Sequence, residues 1–107
     1  MHSIADKAEI SVDFPDKLYM GQFGRHSSFD AGVEADGVLI RLSRQDGERR
    51  EVQIHLHYLL FADVLAAIAG SVTGSAPIDG VHRQPLIDAA RELLTALERS
   101  APMTAAG

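Results

Sequence analysis

Eight residues of strict alternation run without a break into twelve that are almost wholly apolar, and that junction limits what the chain can fold into. In Arg50-Glu51-Val52-Gln53-Ile54-His55-Leu56-His57, Val52, Ile54 and Leu56 fall on one side and Glu51, Gln53, His55 and His57 on the other. This two-residue period marks a half-buried strand. From Tyr58 to Ala69 only Asp63 is strongly polar. Alanine and leucine dominate there, which favours helix in spite of β-branched Val64 and Ile68. A helix apolar nearly all round has no wet face. It is expected to meet the sheet on one side and another surface on the other.

Upstream, Ile10, Val12 and Phe14 alternate with Glu9, Ser11 and Asp13 over residues 8–14, a strand that Pro15-Asp16 ends. Lys17 to Gly24 reads as a second strand of blurred alternation, with Leu18 and Met20 opposing Tyr19 and Phe23, and Gly21 and Gly24 permitting a bulge. The pattern does not assign its inner face. Phe29, Ala31, Val33 and Ala35 alternate with polar or small residues up to Asp36-Gly37, which predicts a two-residue type I′ turn. That turn pairs Ala35 with Val38, Val33 with Ile40 and Ala31 with Leu42. A three-residue loop at Gln45-Asp46-Gly47, with Gly47 left-handed, pairs Ile40 with Val52 and Val38 with Ile54. On the outer face it sets Arg41 opposite Glu51, Leu39 opposite Gln53 and Gly37 opposite His55.

Gly70 to Pro77 is rich in small and turn-forming residues and predicts a helix stop and a loop, and Asp79-Gly80 predicts a further turn. A second helix is expected from Pro85 to about Arg99, with Leu86, Ala90, Leu93, Leu94 and Leu97 as its apolar stripe. Strands followed by helices imply an α+β fold: an antiparallel β-meander of four or five strands, then two C-terminal helices packed on one face. A chain of 107 residues suits one domain. Residues 8–99 are assigned to it, with an N-terminal arm at 1–7 and a disordered tail at 100–107.

The ten Lys and Arg are scattered and the net charge is -5, which argues against nucleic-acid binding and favours basic protein partners. Absence of cysteine excludes disulfides, thiolate catalysis and cysteine-based metal sites. The first residues lack the pattern of a signal peptide, and the longest apolar run is too short to span a bilayer. No membrane association and a cytoplasmic location are the expectation.

His55 and His57 project from one face of a strand, roughly 7 Å apart at Cα, so both imidazoles can reach one divalent transition-metal ion. Asp13, or Glu9, would supply a third ligand if the first strand lies beside this one. Arg41, Glu51 and Gln53, with Arg25 and His26, make up a polar binding surface. His26 beside Ser27 and Ser28 is not set in a nucleophile elbow and reads as a polar turn. Together these features suggest a small acidic non-enzymatic interaction module, such as an adaptor, an inhibitor or a chaperone-like protein. It is expected to be a homodimer that meets its partner through Tyr58, Phe61 and Leu65. The alternative is a small metal-binding protein or enzyme built on the histidine pair.

Overall fold

Six strands precede two helices in a computed structural model that describes residues 2–45, 47 and 49–100, and the fold is α+β. The strands are β1 (His2–Ser3), β2 (Ala8–Asp13), β3 (Leu18–Phe23), β4 (Ser27–Val33), β5 (Gly37–Arg44) and β6 (Arg50–His57). The helices are α1 (Tyr58–Gly74) and α2 (Gly80–Arg99). The chain divides within α1 into two units, Met1–Ile68 and Ala69–Gly107.

The strands do not form one meander. β1, β4, β5 and β6 make a four-stranded antiparallel sheet in that order, while β2 and β3 form a separate hairpin. The reason lies at the start of β4. His2 and Ser3, from the expected arm, pair there with Phe29 and Ser28, and the Ile4 amide donates to the Ser27 carbonyl. The place beside β4 that β3 was expected to take is thus filled by β1.

In the hairpin, Phe14 and Lys17 exchange backbone hydrogen bonds of 2.7 and 3.2 Å around Pro15-Asp16, and the pairing runs without a bulge from Asp13↔Leu18 to Ala8↔Phe23. Directly opposite residues share a face. Tyr19, Gly21 and Phe23 therefore share one with Val12, Ile10 and Ala8, which settles the inner face that the sequence left open. Phe23 is the one buried apolar side chain among the described residues, and a Cβ on Gly21 would make ordinary contact with its ring at 3.7 Å.

The β4–β5 turn also differs from expectation. Val33 pairs with Val38, Ala31 with Ile40 and Phe29 with Leu42, so Glu34 to Gly37 make the connection and the Glu34 amide donates to the Gly37 carbonyl at 2.8 Å. A type I′ turn needs positive φ at Asp36 and Gly37, yet Gly47 is the only described residue with positive φ, at 72°. Gly37 serves close approach instead. A Cβ on it would collide with the Leu56 carbonyl oxygen and lie 2.9 Å from His57 Cα.

Between β5 and β6 the pairs are Ile40↔Ile54, Val38↔Leu56, Leu39↔His55, Gly37↔His57 and, at the open end, Arg44↔Arg50. The loop therefore holds five residues rather than three, with Gly47 left-handed as expected; Asp46 and Glu48 lie outside the described residues. A slip of two residues leaves every side chain on its own face. The apolar pattern fits either loop equally, and the expected Gly37–His55 and Arg41–Glu51 pairings move by one step along the ladder.

β6 passes directly into α1 as the sequence implied. The helix continues through Gly70 to Gly74, where a stop was expected, because glycine weakens a helix by about 1 kcal/mol relative to alanine but does not forbid it. The Thr73 hydroxyl donates to the Ala69 carbonyl at 3.1 Å within that last stretch. α2 starts before Pro85. Asp79 is its N-cap, accepting from the His82 amide at 3.0 Å, so the expected turn at Asp79-Gly80 is the helix's own start and His82 and Arg83 lie in its first turn. Pro85 sits inside α2, a position that removes one main-chain donor yet suits the helical φ. Ser100 caps the other end, its amide donating to the Ala96 carbonyl at 2.9 Å. The tail was expected from residue 100; Ser100 is this cap, and residues 101–107 lie outside the described residues.

Candidate functional site

The sheet directs Glu51, Gln53, His55 and His57 to one face by alternation along β6. At the far end of that face the Glu34–Gly37 turn folds over the last residues of β6. Because Gly37 has no side chain, the turn lies against Leu56 and His57. Two contacts with the first residue of α1 hold it there: the Tyr58 amide donates to the Asp36 carbonyl at 3.3 Å, and the Tyr58 hydroxyl donates to the Glu34 carbonyl.

This placement brings two carboxylates to the histidines. Asp36 Oδ1 lies 3.2 Å and Glu34 Oε2 3.9 Å from His55 Nε2. The His55 and His57 rings stand 5.0 Å apart at 36°. One potential ligand atom from each of Asp36, His55 and His57 falls within 4.8 Å of the other two. Asp13 is not among them. It sits on β2, which was expected beside β6 but pairs with β3 in the separate hairpin; the neighbour of β6 is β5, and the carboxylate comes from the turn that leads into β5. Sequence reasoning missed Asp36 because it assigned that residue to a turn and asked only what φ it needed. An acidic residue beside a glycine that faces a histidine across the ladder was the available signal.

Further along the same face Arg41 joins Gln53 and Glu51. Its Nη2 donates to Gln53 Oε1 at 3.1 Å, and its Nε lies 3.1 Å from Glu51 Oε1. Gln53 is directly opposite and Glu51 one step diagonal, within reach of a long guanidinium arm. These expected surface residues thus form one connected group. Arg25 and His26 are elsewhere, in a tight turn closed by the Ser27 amide donating to the Gly24 carbonyl at 2.9 Å. Ser27 is buried and its hydroxyl accepts from the Gly24 amide at 3.2 Å, which gives it a structural task in place of a nucleophilic one.

No protein family matches the chain, and neither does any curated protein or solved structure.

Beyond the polar face, the main feature is apolar exposure on α1, none of whose residues is buried. Leu59 is 84% exposed, Ile68 54% and Leu60 52%, while Phe61 is half-buried. Tyr58 and Leu65 are exposed as well, and Tyr19 stays outside the core, edge-on to Phe14. Among the described residues no helix is long and apolar enough to cross a membrane.

Proposed function

We propose that the protein is a non-enzymatic, cytoplasmic interaction module that works as a homodimer, with α1 as the contact element. The single observation behind this reading is that α1 is apolar along its length and yet has no buried residue. Its spacing supports a particular surface. Tyr58, Phe61, Leu65, Ile68 and Val72 follow one another at intervals of three and four, the seam of a helix that packs against another helix. At 3.6 residues per turn, Asp63 falls on the side opposite that seam, where its charge stays in water. Each Leu or Ile taken out of water by a partner contributes roughly 1.5–3 kcal/mol, so a few such side chains are enough to favour association. A stripe of this kind, exposed at all but half-buried Phe61, suits a second copy of itself on a short chain, because a two-fold pair covers the same stripe on both protomers. The scattered cations and negative balance support protein, rather than nucleic acid, as the partner.

Light scattering over about a hundredfold range of concentration tests this, since mass action makes the mass rise toward twice that of the chain. Leu65→Glu places a charge in the seam and is expected to give a monomer with an unchanged circular dichroism spectrum. Leu59→Glu, off the seam, is expected to leave the mass alone. A wild-type protein of monomer mass throughout would refute the reading.

A further inference from the structure

We propose that Asp36, His55 and His57 form a binding site for one divalent first-row transition-metal ion, with Glu34 at its edge. The inference is independent of the interaction reading. It rests on three donors delivered by two elements: two imidazoles from the end of β6 and one carboxylate from the turn that Gly37 allows to lie against it. An ion held by nitrogen and oxygen at roughly 2.0–2.2 Å needs adjacent donors a little over 3 Å apart. His55 Nε2 and Asp36 Oδ1 already stand at 3.2 Å, and all three donors lie within 4.8 Å of one another, so rotation of the His57 ring closes the set.

A plain ion pair between His55 and Asp36 would not need a second imidazole. His57 nevertheless meets the same pair, its ring tilted against that of His55 instead of stacked or turned away. The carboxylate is also fixed from behind. Both carbonyls of the turn that accept from Tyr58 belong to the acidic residues, Glu34 and Asp36, so the main chain carrying the two carboxylates is anchored before any ion arrives. Such prior ordering raises affinity by removing the need to order the ligands on binding.

The donor set defines the class of ion. Two imidazoles and a carboxylate without thiolate suit zinc, nickel, copper or iron and disfavour magnesium and calcium, which prefer all-oxygen shells. Three protein ligands leave coordination positions open. Water fills them at a site whose three residues are exposed. Glu34 Oε2, 3.9 Å from His55 Nε2, is placed to accept a hydrogen bond from such a water or to enter the shell itself.

Isothermal titration of the full chain with zinc chloride, repeated with copper and with magnesium, is the direct test. One equivalent of zinc is expected to bind, copper more tightly, and magnesium not at all. His57→Ala leaves the His55–Asp36 pair in place and is expected to weaken zinc binding at least tenfold. Asp36→Asn is expected to do the same, and His82→Ala, far along the chain beside Asp79, to change nothing. Should circular dichroism show that the alanine variant is misfolded, His57→Gln keeps a polar side chain and tests the same ligand. Failure of the wild type to bind zinc would overturn the proposal. So would binding that survives both His57→Ala and Asp36→Asn, or binding that His82→Ala abolishes.

Discussion

Replacing Gly37 with alanine tests the close approach on which the polar face depends. Because φ at Gly37 is not positive, alanine brings no backbone strain, and the whole effect is steric. Its Cβ would collide with the Leu56 carbonyl oxygen and lie 2.9 Å from His57 Cα and 3.0 Å from the Leu56 carbonyl carbon, all of them main-chain atoms that no rotamer change can move. Ordinary carbon contacts are about 3.5–4.0 Å, so the strands must part by roughly half an ångström or more at the Gly37↔His57 pair. Overpacking of this kind costs about 1–3 kcal/mol, and a ladder hydrogen bond lost with it about 1 kcal/mol. Against this, alanine in a strand gains roughly 0.5–1 kcal/mol over glycine in conformational entropy. The net expectation is a loss of about 1–3 kcal/mol, read as a lower urea midpoint by circular dichroism. Gly32→Ala is the matched control. It also lies in a strand, also lacks positive φ, and has nothing within 4 Å of its added Cβ, so it should be neutral or stabilising by up to about 1 kcal/mol. If Gly37→Ala behaves like Gly32→Ala, the turn does not lie against β6 and the reasoning is refuted.

Two further outcomes follow from the fold. Phe23→Ala removes the one buried apolar side chain among the described residues and should lower stability by about 3 kcal/mol in urea unfolding; an unchanged midpoint would show that the β2–β3 hairpin contributes nothing to the core. At Asp79, the His82 main-chain amide, seconded by the His82 side chain, holds the carboxyl below the usual carboxylate range. A depressed value stabilises the fold above the unfolded carboxylate range, and that contribution is lost as pH falls through the folded value. The helical signal should therefore decline in acid, and Asp79→Asn, which caps without titrating, should flatten the part of that decline due to α2.

Much of this architecture is legible in the residues because burial imposes a period. Alternation locates β2, β4, β5 and β6 and identifies which side chains share a face, and the apolar run after His57 locates α1. What the period cannot supply is register. Ile40 meets Ile54 rather than Val52, and Val33 meets Val38 rather than Ile40, each a two-residue slip that leaves the faces intact. The same slip bears on Asp36: the expected turn was Asp36-Gly37, whereas in the four-residue connection Asp36 stands at the tip beside β6, its carbonyl accepting from the Tyr58 amide and its carboxylate 3.2 Å from His55 Nε2. Sheet order was equally hidden, since His2 and Ser3 carry no strand signal and join β4 by main-chain pairing alone. At Asp79 the cap signal was present, but Pro85 drew the helix start to itself.

The passage from β6 to α1 without an intervening loop also bears on how this chain can vary. His57 is the last residue of the strand and Tyr58 the first of the helix, so the two share one angular phase. An alanine inserted between them would turn α1 by roughly 100° about its own axis, carrying Leu65 away from its bearing and lifting the Tyr58 hydroxyl off Glu34. One deletion within β6 would do as much and also exchange the strand's faces up to that point. Related chains should accordingly accept length changes in the Gln45–Arg49 loop while keeping the spacing from Val52 to Leu65 fixed.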